Sequence, residues 1–89
     1  DFKAKLYKNP RIICNTKINS VEECRDRLNY VGWEGGTNVT QGAWPHVTGC
    51  VVQKNNNWKT GPAYFNPNGD KNRIHHGYYK VCPGGGRTY

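Results

Sequence analysis

The chain contains no methionine, a single serine, and no two cysteines at the Cys-x-x-Cys spacing. Each absence closes something off. Without that spacing, Cys14, Cys24, Cys50 and Cys82 do not read as a zinc knuckle or a dithiol redox site. The only serine, Ser20, stands where a helix begins, and its role as a cap leaves serine nucleophilic catalysis without a candidate. No apolar run approaches the ~20 residues of a membrane span. The missing initiator methionine leads to the expectation of a secretory leader removed from a precursor. Acids are scarce as well: 6 Asp and Glu stand against 13 Lys and Arg, a net charge of +7.

What is present points to an oxidising context. Four widely spaced cysteines in 89 glycine-rich residues read as a disulfide framework of a secreted or extracellular domain. With a hydrophobic fraction of 35%, one small core is all the chain can bury, and cross-links are its natural supplement. Each bridge adds roughly 2–4 kcal/mol, largely by restricting the unfolded chain. Oxidised cysteines also leave no thiolate nucleophile. Asn38-Val39-Thr40 fits the N-glycosylation acceptor pattern, with Asn38 as the acceptor. The positive surface is attracted to acidic polysaccharide, phospholipid or nucleic acid, with plain solubility as the simpler reading. Lys3, Lys5, Lys8 and Arg11 form one basic group, and Lys71, Arg73 and Lys80 another.

Residues 1–10 read as an N-terminal arm. Phe2, Ala4 and Leu6 alternate with Lys3 and Lys5, a period-two strand pattern open to a partner's sheet edge. A short β-branched run at 11–14 reads as a core strand. The clearest element follows: Ser20-Val21-Glu22-Glu23 is a capping box, and Val21, Cys24, Leu28 and Val31 make one helical stripe ending at Gly32. Glu22 and Glu23 suit the helix dipole, and Glu23 stands four residues before Arg27. Residues 32–49 read as a long loop and 48–53 as a strand. Residues 58–65 read as a second strand interrupted by Gly61-Pro62, and 74–82 as the last. The tail, 83–89, opens with Pro83-Gly84-Gly85-Gly86 and should leave the domain. The expected fold is α+β: a disulfide-bonded module over 11–82, with one α-helix packed on a short antiparallel β-sheet.

Glu22-Glu23-Cys24 on a helix, Gly49-Cys50 on a strand, Tyr64-Phe65-Asn66 before a turn at Gly69, and a terminal Cys82 form a recognisable order. Over residues 12–82 this resembles the apple/PAN-like and WSC-like extracellular modules. It is closer still to small cysteine-containing modules of microbial eukaryotes. The resemblance implies an adhesive or carbohydrate- or protein-binding role, with two possible bridges here rather than the three of apple/PAN domains. Four cysteines allow three pairings. The nested one, Cys24 with Cys50 and Cys14 with Cys82, joins helix to sheet and first strand to last; the other two remain open at this point.

Catalytic readings find little support. His46, His75 and His76 suggest a metal, but adjacent residues on a strand point to opposite faces, which leaves too few ligands. No metal and no cofactor is expected. A small secreted ribonuclease, with two histidines as acid and base and Glu34 as an alternative base, is the enzyme alternative, although nothing fixes the geometry. A cationic defence protein or toxin is another, but no basic amphipathic helix is visible. Nucleic-acid binding is disfavoured because basic and aromatic residues are not interleaved on one platform.

The aromatics say more. Trp33 and Trp44 fall in the glycine-rich loop, and Trp58 and Lys59 follow Asn55-Asn56-Asn57. Tryptophan beside asparagine suits sugar or protein contact, a flat apolar face flanked by amides. The plainer alternative is that the rings cap a thin core. Trp33, Trp44, Asn56, Trp58 and Lys59 are therefore the candidate binding residues of a secreted, non-enzymatic module. An anionic glycan or extracellular protein is the expected partner, with homo-oligomerisation through the arm as a variant.

Overall fold

The computed structural model describes residues 3–45, 47–54, 56–68 and 76–88. One α-helix, α1 (Val21–Tyr30), packs on a five-stranded sheet. The strands are β1 (Lys5–Tyr7), β3 (Val39–Gln41), β4 (Gly49–Gln53), β5 (Ala63–Asn66) and β6 (Tyr78–Cys82). Their spatial order is β1-β6-β4-β5-β3. A separate two-stranded sheet pairs β2 (Ile12–Cys14) with β7 (Gly86–Thr88). The α+β class is as the sequence implies. The sheet is larger than expected and mixed, because β3 runs parallel to β5 while the other pairs are antiparallel.

Alternation along the strands divides the sheet into two faces. Leu6, Cys50, Val52, Ala63, Phe65, Tyr79 and Val81 pair across the strands and meet Cys24 and Leu28 of α1. Tyr7, Val51, Tyr64, Tyr78 and Lys80 point the other way. Cys24–Cys50 bonds helix to sheet, and Cys14–Cys82 bonds β2 to β6. These are the nested pairings.

Local chemistry defines both ends of the helix. Ser20 Oγ accepts from Glu23 N at 3.1 Å, while Glu23 Oε1 accepts from Asn19 N, one residue earlier than a reciprocal box requires. Glu23 also pairs with Arg27 at 3.0 Å. At the C-terminus, Trp33 N donates to Leu28 O and Gly32 N to Asn29 O, with Gly32 at φ +106°. This is a Schellman closure, and it turns Trp33 back onto Leu28 in the core.

Several segments differ from the sequence reading. The arm pairs with the module: β1 lies against β6, with Leu6 opposite Val81. The glycine-rich tail also returns, and β7 pairs with β2 while Gly86 N donates to Tyr7 Oη at 2.7 Å. The loop at 32–49 contains β3. Residues 58–65 are not one broken strand: Trp58–Thr60 is a 3-10 turn capped by Asn57, and β5 starts after Pro62. Phe2, Asn55, Gly69, Lys71 and Arg73, named above from sequence, lie outside the described residues.

Candidate functional site

The three tryptophans do not share a surface. Trp33 is 3% exposed, and its indole Nε1 donates to Gly61 O at 2.9 Å. The ring folds back over Gly35 so closely that a Cβ there would stand 1.9 Å from it. Trp33 is therefore core, and Gly35 leaves the room that its ring occupies. Trp58 is half-buried against the helix-side core, with Lys59 Nζ 6.0 Å from its ring centroid. Asn56 is exposed and lines an open depression with Lys54, Asn57 and Thr60. Trp44 belongs to the other side of the sheet, where it meets Tyr64.

There the fold assembles an aromatic row that sequence reasoning did not single out. Trp44 stands edge-on to Tyr64 at 5.3 Å between centroids, and Tyr64 stands edge-on to Tyr78 at 6.1 Å. Both contacts fall in the favoured T-shaped range. The rings are half-buried. Strand register places polar side chains on the same face: Gln53 opposite Tyr78, and Thr40 beside Tyr64. Burial first, and the neighbouring Tyr64 second, raise the Tyr78 hydroxyl above its ordinary pKa, so it stays a neutral hydrogen-bonding group at physiological pH. The alternation of Tyr64 with Phe65 was the available signal, since on a strand two adjacent rings must face opposite sides.

Asn66 fixes the loop that carries Trp44. It is 2% exposed, its Nδ2 donates to Trp44 O at 2.8 Å and Val47 O at 2.7 Å, and its Oδ1 accepts from Asn68 N at 2.9 Å. All its polar capacity but one lone pair is thus spent on main chain. Gly42 supports the same ring, because a Cβ there would sit 2.5 Å from Trp44.

Other candidates are scattered. His46 and His75 lie outside the described residues, and His76 is exposed. Glu34 is exposed, and among the described residues no three His, Cys, Asp or Glu side chains converge as a metal site. Asn38 is exposed immediately before the edge strand β3, accessible as a glycan acceptor would need to be. No helix among the described residues is long and apolar enough to cross a membrane. The two disulfides are the chemistry of an oxidising compartment. No protein-family model, curated protein or solved structure matches the chain.

Proposed function

We propose that the chain is a secreted, non-enzymatic binding module that recognises a glycan on an extracellular surface. The observation that carries this reading is the Trp44–Tyr64–Tyr78 row on the sheet face away from the helix, flanked by Gln53 and Thr40. Aromatic faces take the apolar side of a sugar ring, and amides and hydroxyls take its hydroxyls. The resemblance to apple/PAN-like and WSC-like modules supports an adhesive role. The +7 charge favours glycans that carry acidic groups and speeds encounter more than it selects. Assembly through the arm has less support, because one edge of β1 is already paired with β6 and Lys3, Lys5 and Lys8 charge the segment.

A glycan screen at low and high salt tests the reading. Ring-mediated recognition persists at high salt, whereas attraction to the basic surface fades as ions screen it. Trp44→Ala should weaken the salt-resistant binding roughly fivefold or more, a loss of about 1–3 kcal/mol for a stacking ring. Trp58→Ala should leave it unchanged. Binding that disappears entirely with salt, or survives Trp44→Ala, would contradict the proposal.

A further inference from the structure

A second site lies at the end of the sheet where β4 begins and β5 finishes. The segment from Ile13 to Ile18 roofs a cavity of about 280 Å³ there. Its walls are mostly apolar, with Ile13, Ile18, Pro67 and Val81 among them. Both disulfides contribute a cysteine, Cys14 and Cys50, so the roof and floor are covalently tied into the module. A cavity of this size is at the small end of ligand sites, and its walls are held in place before any ligand arrives.

One wall residue has no ordinary structural account. Lys80 sits in the middle of β6, yet it is only 5% exposed. Its side chain passes over Gly49, where a Cβ would approach Cε at 3.3 Å and Nζ at 3.7 Å. The amine thus runs in contact with the β4 backbone at Gly49, whose φ of +76° is what calls for glycine there. Among the described residues no carboxylate pairs with it and no hydrogen bond reaches its Nζ. The groups facing it are Tyr7 from β1, whose hydroxyl is bonded to Gly86 N, and Val51 and Gly49 from β4. Lys17 is the other cation of the cavity lining, and it is exposed. Buried lysines are almost always paired, because an unpaired ammonium in an apolar setting is costly.

We propose that this cavity binds a small monocarboxylate with an apolar body, its carboxylate pairing with Lys80 and its body lying against Ile13, Ile18 and Val81. One buried cation matches one negative charge. Apolar walls match an alkyl or aryl body better than phosphate or a sugar acid, whose remaining oxygens would lose water without replacement. Asn66, the other buried polar wall residue, has already committed its amide hydrogens to Trp44 O and Val47 O. Burial also lowers the Lys80 amine to a pKa of about 8, so it is mostly charged at neutral pH and ligand binding should draw it back toward full protonation.

Calorimetric titration with hexanoate, benzoate, 1-hexanol, galacturonate and chloride at neutral pH tests the site on the intact protein. Hexanoate and benzoate should bind saturably, with hexanoate at least tenfold tighter than 1-hexanol, the worth of one charge-assisted hydrogen bond. Affinity should fall as pH rises through 8, and should do so equally in Lys17→Gln, which removes the other cation of the lining. Lys80→Met, which keeps length and removes charge, should lose hexanoate binding by roughly tenfold to a hundredfold. In NMR spectra of wild-type protein, the Ile13, Ile18 and Val81 methyls should shift on titration. That measurement holds even if the variant folds poorly. The proposal is overturned by no hexanoate binding up to about 10 mM, by equal binding of 1-hexanol, by galacturonate or chloride binding as tightly as hexanoate, or by shifts elsewhere.

Discussion

Lys80 and Trp33 illustrate at the residue scale how burial assigns roles that residue type does not. Trp33 is core because its indole finds Gly61 O and its ring finds Gly35. Gly35→Ala should therefore be severe: the ring must move, and a lost buried tryptophan costs about 3–5 kcal/mol. Thermal melts of the variant check this. Lys80 sets a pH dependence whose sign is fixed by where its proton sits. Unfolded, the amine titrates near its ordinary 10.5; folded, burial lowers it to about 8. Between those values the unfolded chain holds the extra proton, so stability rises with pH in that window and is lowest below it. The gain approaches ~3 kcal/mol at the top of the window. Tyr78 works in the opposite direction above its ordinary pKa of 10.0, so the rise is best read below pH 10. Denaturant unfolding at neutral pH and pH 9.5 should show the ligand-free wild type gaining stability, and Lys80→Met should be more stable at neutral pH with a flat profile. A flat wild-type profile would mean that water or an ion already solvates the amine.

The elements differ in how far they could be read from sequence, and the difference follows from how local their causes are. The helix was legible because Ser20, Glu23, the Val21/Cys24/Leu28 stripe and Gly32 all act within a few residues. Ser20→Ala should cost about 1 kcal/mol of stability, seen as a shift in the chemical denaturation midpoint with an unchanged slope. The strands of β4, β5 and β6 were visible in outline from β-branched and aromatic residues. β3 and β7 were not, since Val39–Gln41 and Gly86–Thr88 are too short to show alternation and are held by partners 24 and 72–76 residues away in register. Glycine spacing pointed the wrong way for β7: Gly84, Gly85 and Gly86 read as a tail, yet Gly86 packs against β2 so closely that a Cβ there would stand 3.1 Å from Ile13 O. The aromatic row depends on the same non-local register, so Trp44 was found by type while Tyr64 and Tyr78 were missed as its partners.

For the whole molecule, two disulfides and a mixed sheet hold a thin core together, and on the face opposite the helix the Trp44, Tyr64 and Tyr78 rings stay half-exposed. Cys24–Cys50 clamps helix to sheet, and Cys14–Cys82 joins the two sheets. The result is a scaffold on which Asn66 and Gly42 set the Trp44 loop. Charge attraction and ring recognition call on different side chains, which makes the central claim testable in one experiment. Two-dimensional NMR of the isotope-labelled protein, titrated at high salt with the tightest glycan from the screen, reports which residues meet the ligand. Recognition by the row predicts shifts at the Trp44 indole, Tyr64, Tyr78 and Gln53, with Lys3, Lys5, Lys8 and Arg11 unmoved. Shifts confined to those basic residues, or to Trp58 and Asn56, would contradict it.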